Sequence, residues 1–185
     1  VGVKNKPARS GVIASWGVKM APSDGYTILV GSSSGMTIPV AFGKQIPYDP
    51  FKDFKLVGGM LRAQAIFTVP PDSPLKTVRD LATVAKNKPT PITIGTYSDG
   101  YYLTSQRLAK MAGIKLENVP YKGYPIALPD VAAGRIDIAY GDATATQELI
   151  KTGKIRALAV TGKTRHPFYP DVPTVAEIGL PDFSY

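Results

Sequence analysis

The sequence predicts an α/β protein built as two lobes, on three observations. From Ala65 onward, short β-branched apolar runs alternate with amphipathic stretches of roughly ten residues. Glycines close those stretches at Gly113, Gly134 and Gly153, where a left-handed residue ends a helix without a Cβ clash. Ahead of Ala65 stands a separate apolar run, YTILVG, followed by the proline-rich connection PYDPFKDF. A repeated βα order argues for a mainly parallel sheet with helices on both faces. The expected division is residues 1–64 with 164–185 in one lobe and 65–163 in the other. Two crossings between lobes would form a hinge.

In chain order, Val1–Val3 reads as the end of a strand and residues 9–20 as a helix that tolerates Gly11 and Gly17. Trp16 belongs to its packing face. Tyr26–Gly31 reads as a buried strand, and SSSGMTIP after it as a polar strand-to-loop junction. LVGGML opens another apolar run. AIFTV is a strand, PPDSP a break, and Thr77–Lys86 a helix with Thr77 and Asp80 as a capping pair. Strands recur at ITIG, ENVP, IDIAY and IRALAV. TVAEIGL reads as a short final helix with Thr174 and Glu177 as a capping box.

Bulk composition excludes several classes of function. Apolar content of 44% and charged content of 19% describe a chain of 185 residues that folds. No run approaches the ~20 apolar residues of a membrane span. With no cysteine there are no disulfides or thiolate sites, and the single histidine, His166, sits in a proline-rich loop. No metal site, cofactor motif or catalytic set can be assembled, so no enzyme is expected. The net charge of +8 is scattered without basic blocks or interleaved aromatics, which argues against nucleic acid and for a solvated surface that favours anions.

The most informative stretch is Ile92–Gly113: a buried strand, a polar turn, then a helix whose inward face carries Thr104, Leu108, Met111 and Ala112. Ser98 and Asp99 are natural N-caps. Such a junction aims backbone N–H groups and the positive end of a helix dipole at one spot, which suits a carboxylate. A purely structural capped helix reads the same way.

Several phrases carry more than composition: APSDGYTILVGSSSG, IPYDPFKDFKLVG, VPPDSPLKTVRDLATVAK, VPYKG, LPDVAAGRIDIAYGD, IKTGKIRALAVTGKTR and YPDVPTVAEIGLPDF. In this order, across essentially the whole chain, they resemble the Bug family, the extracytoplasmic receptors of tripartite tricarboxylate transporters. The resemblance implies a type 2 periplasmic-binding ("Venus flytrap") architecture, here with the first lobe incomplete. It implies an exported, periplasmic receptor, monomeric at full length, whose signal peptide lies outside this sequence. Its partners would be a small organic carboxylate (a di- or tricarboxylate, an aromatic carboxylate or an amino acid) and the membrane subunits of its transporter.

In that family one ligand carboxylate is gripped by two strand-to-helix loops, one per lobe. The first-lobe jaw would lie before Val1, and further strands after Tyr185. The second jaw maps onto Tyr97, Ser98, Asp99, Gly100 and Tyr101, where the family pattern Ala-Gly-x-Gly-Ser/Thr-x-x-His-Leu is shifted and lacks its histidine. Asp99 either caps the helix or selects a ligand amine or hydroxyl. Ser32, Ser33, Ser34 and Thr37 are ligand contacts or a hydroxyl-rich cap. Tyr121, Lys122 and Gly123 form the VPYKG turn, whose lysine either meets a second carboxylate or is solvated. Asp142 and Thr144 face the ligand's other end or cap a helix. The alternative within this fold is the ligand-sensing domain of a LysR-type regulator, which YDPFKDF and DVPTVAEIG disfavour.

Overall fold

The computed structural model describes residues 2–6, 9–60, 63–181 and 183. These form two compact units, residues 1–62 with 98–100, and residues 63–97 with 101–185. The elements in order are α1 (Val12–Lys19), α2 (Ser33–Met36), α3 (Ile38–Ala41), β1 (Ala65–Val69), α4 (Asp80–Asn87), β2 (Ile92–Thr96), α5 (Asp99–Ala112), β3 (Leu116–Pro120), α6 (Tyr124–Ala132), β4 (Ile138–Asp142), α7 (Gln147–Lys151) and β5 (Arg156–Val160). Among the described residues, no helix is long and apolar enough to cross a membrane.

The larger unit is organised by a five-stranded sheet of order β3-β2-β4-β1-β5. β2 runs parallel to β3 and β4, whereas β1 runs antiparallel to β4 and β5. The sheet is therefore mixed rather than mainly parallel. A crossover fixes the relative direction of strands that neighbour each other in a sheet. Here β4 separates β1 from β2, so the βα rhythm leaves the direction of β1 open. Every β1 residue is buried, and Phe67, paired with Tyr140, stacks on it with centroids 4.1 Å apart.

Ionic and capping contacts close this unit at its margins. Asp137, just before β4, accepts hydrogen bonds from the Thr93 N–H (2.7 Å) and hydroxyl (2.8 Å) and pairs with Lys88, tying β2 to β4. Burial pushes the Asp137 carboxyl up, but the Lys88 and Thr93 hydrogen bonds outweigh it and hold it below 3.8. The Thr77–Asp80 capping pair is present: Asp80 accepts the Thr77 N–H at 2.7 Å, and the Thr77 hydroxyl accepts the N–H of Arg79 rather than of Asp80, at 3.2 Å. The helix proper begins only at Asp80. Thr174 and Glu177 exchange side-chain-to-backbone bonds, at 2.7 and 3.1 Å, yet close a turn and no helix follows. With Gly179 at φ 114°, only a few residues separate that cap from a helix-ending position. Val175 and Phe183 pack into the core of this unit, where the tail was expected with the first lobe.

The smaller unit is helical and lightly cored. Gly35 lies against the 9–11 turn, where an added Cβ would stand 3.1 Å from the Ser10 carbonyl. The buried Tyr48 hydroxyl donates to the Gly35 carbonyl, and Lys19 pairs with Asp53 at 2.7 Å. The expected strand at Tyr26–Gly31 does not form. Tyr26, Ile28 and Val30 are 92, 70 and 71% exposed, because no other described segment pairs with them. Leu56, Val57 and Met60 in the LVGGML run are exposed as well, and Trp16 is half-exposed instead of packed. Val1 lies outside the described residues, and Val3 is exposed and outside any strand.

Candidate functional site

β2 and α5 form the expected strand-turn-helix, with Tyr97 and Ser98 between them. α5 buries Thr104, Ser105, Leu108 and Ala109, one stripe at helical spacing, and half-buries Met111 and Ala112. The first turn of α5 is therefore held at the end of β2. Residues 98–100 cluster with the smaller unit. There Ser98 Oγ shares a 3.2 Å hydrogen bond with Ser34 Oγ, and the Asp99 N–H donates to Ser10 Oγ at 3.3 Å. The Asp99 carboxylate meets Lys44 Nζ at 2.8 Å. The acidic Asp99 is thus balanced by a lysine that nothing in the local sequence pairs with it.

The tyrosines flanking the turn behave differently. Tyr97 and Tyr101 donate their hydroxyls to Asp142 Oδ2 and Oδ1, each at 2.7 Å. Their ring centroids lie 4.6 Å apart. The Tyr101 ring meets Tyr140 edge-on at 5.0 Å, and Tyr97 stacks on Tyr124 at 6.1 Å. Burial raises the Tyr101 hydroxyl well above the usual phenol range, reinforced by its hydrogen bonds with Tyr97 and Asp142. It is therefore a donor at any physiological pH. Tyr124 is buried in turn, and its hydroxyl meets Thr68 Oγ1 at 3.2 Å. Gly141 makes room for that ring, since a Cβ there would stand 2.3 Å from Tyr124 Cγ.

Asp142 is at the N-cap position of a 3-10 turn over Ala143–Thr146 but forms no side-chain cap, because both carboxylate oxygens accept tyrosines. Thr144 is exposed and makes no cap, and Thr146 is the buried hydroxyl of that turn. Tyr121 turns away into a structural network: its hydroxyl donates to Asp130 at 2.6 Å, and Asp130 also accepts Arg135 Nε at 2.7 Å. Burial and then the Asp130 bond raise the Tyr121 hydroxyl to about 12. The hydrogen bonds from Tyr121 and Arg135 lower Asp130. Lys122 is exposed, and Gly123 takes the N-cap position of α6 in extended backbone.

Ser32 is the N-cap residue of α2 without a side-chain cap, its carbonyl accepting the Gly35 and Met36 N–H groups. Ser33 and Thr37 are exposed and pair locally, Thr37 N–H to the Ser33 carbonyl at 3.0 Å. Only Ser34 of this group is buried. His166 is half-buried in its loop, its Nδ1 accepting the Phe168 N–H at 3.1 Å. The structure thus brings Tyr97, Tyr101 and Asp142 together, and Ser34, Ser98 and Asp99 with Lys44. Tyr121 and Thr144 join neither group.

The profile of the tripartite tricarboxylate transporter receptor family matches residues 1–185, and the chain belongs to that family. It is 36% identical over 184 residues to the UPF0065 protein of the tcbD-tcbE intergenic region of a Pseudomonas species, covering 98% of this chain and 54% of that one. Among solved structures, the R. palustris protein with adipate superposes with a TM-score of 0.84 at 31% identity, covering 96% of this chain and 60% of the other. MatC of Rhodopseudomonas palustris with bound malate gives 0.84 at 25% identity, covering 96% and 61%. The chain spans about half the length of the curated relatives it matches.

Proposed function

We propose that the full-length protein is an exported, periplasmic solute-binding receptor. It captures a small organic carboxylate and delivers it to the membrane subunits of a tripartite tricarboxylate-type transporter. The family match along the whole chain carries this reading, and the adipate and malate of two structural relatives support a dicarboxylate as the first ligand to test. In this reading the turn from Tyr97 to Tyr101 is one jaw of the site. Backbone N–H groups and the dipole of the fourteen-residue α5 meet the oxyanion, so no fully buried counter-charge is needed. Exposed Ser32, Ser33, Thr37, Lys122 and Thr144, with the half-buried Gly123, are candidate contacts for the rest of the ligand. The reading includes no bond-making chemistry and no cofactor, and the receptor works as a monomer.

A thermal-shift screen of the full-length protein tests this directly, with di- and tricarboxylates, aromatic carboxylates and amino acids. A ligand at a hundred times its Kd adds about 2.7 kcal/mol of stability, which a melting curve resolves. A folded full-length protein whose melting temperature ignores every carboxylate would overturn the reading.

A further inference from the structure

We infer that Asp142 is a positioning residue that brackets the β2–α5 turn through Tyr97 and Tyr101. The inference rests on the receptor reading for what that turn binds. Tyr97 immediately precedes residues 98–100 and Tyr101 immediately follows them. Both hydroxyls end on one carboxylate, at 2.7 Å to Oδ2 and 2.7 Å to Oδ1. Both flanks of the turn are therefore fastened to a single point at the end of β4. The two rings, 4.6 Å apart and backed by Tyr124 and Tyr140, leave that fastening little lateral freedom.

The fastening point is itself held from behind. The Ala143 carbonyl, next along the chain, accepts the Thr146 hydroxyl at 2.8 Å and the buried Tyr169 hydroxyl at 2.9 Å. Charge-assisted hydrogen bonds to a carboxylate are stronger and shorter than neutral ones, so this is a firm clamp. A turn fixed before the ligand arrives loses less freedom on binding, and that difference appears as affinity. Its placement also explains why an acidic side chain is tolerated beside an anion-accepting turn. Two donated protons direct its oxygens toward protein, where they position the jaw and do not read the ligand.

The test is calorimetric titration of the full-length receptor with adipate and with malate, for wild type, Tyr97→Phe, Tyr101→Phe, the double variant and Asp142→Asn. Phenylalanine keeps each ring, so the aromatic packing survives while one hydroxyl is lost. Each single variant is expected to weaken both ligands by the same factor, about fivefold to twentyfold. Amide exchange at residues 98–100 should quicken, with the sheet unchanged. Asp142→Asn should leave the adipate-to-malate ratio intact. Unchanged affinities and unchanged exchange in both single variants would overturn the inference. So would a lowered melting temperature with unaltered Kd, or an Asp142→Asn variant that shifts the ligand ratio tenfold. Wild-type protein that binds neither ligand would instead count against a dicarboxylate as the receptor's ligand, and the exchange measurement would still report on the bracket.

Discussion

The two units of this chain solve the burial of apolar side chains in opposite ways. In the larger one, a sheet whose inner strand β1 is wholly buried gathers Phe67, Tyr140, Ile94, Leu108 and Phe183 into one core. In residues 1–62, Tyr48 is the only large apolar side chain buried among the described residues, and seven others from Tyr26 to Met60 stand mostly exposed. Composition does not separate them, because YTILVG is as strand-like as AIFTV. What separates them is pairing. AIFTV has a ladder on each side, whereas 26–31 has none among the described residues. Strand propensity becomes structure only when a neighbour takes up the backbone hydrogen bonds.

The contrast sets the order of mutational effects. Phe67→Ala should cost the most, about 3–5 kcal/mol in urea denaturation, because a fully buried ring stacked on Tyr140 leaves a cavity. Gly141→Ala should follow at about 1–3 kcal/mol, since the new methyl collides with the buried Tyr124 ring. Gly58→Ala in the smaller unit has open space around it and should stay within ~0.5 kcal/mol. A Gly58→Ala cost matching that of Gly141→Ala would remove the distinction between the two regions.

Acid should act on the larger unit through Asp137. Its folded pKa is lowered, so its contribution is present above the unfolded value of about 3.9 and is lost as pH falls through the lower folded value. Stability between about pH 5 and 2 should therefore fall less steeply in Asp137→Asn than in wild type. Equal slopes would show that the Lys88–Asp137–Thr93 link carries no net stability. A small effect also belongs to the half-exposed Lys44–Asp99 pair. Lys44→Ala should change stability by no more than ~1 kcal/mol, and by less in high salt.

These contrasts also mark what could be read from residues alone. β1, β2, β3, β4 and β5, and the helix after Ser98, follow from apolar periodicity and glycine stops, which are local signals. The two capping pairs were legible for the same reason, although a cap at Thr174 does not guarantee the helix behind it. The antiparallel setting of β1 depends on which strands become neighbours, and no local period encodes that. The tyrosine–aspartate cluster joins residues 41 and 45 positions apart. Tyr97 and Tyr101 are one helical turn apart in sequence, but only the sheet brings Asp142 to them. The same holds for Lys44 and Asp99, 55 positions apart.

In the proposed receptor, a carboxylate is held at the turn between β2 and α5. Amide hydrogen exchange of the full-length receptor, with and without saturating adipate, measures this at the residues concerned. The expected result is slowed exchange concentrated at residues 98–101. Bound adipate that leaves those amides unchanged and protects others would contradict it.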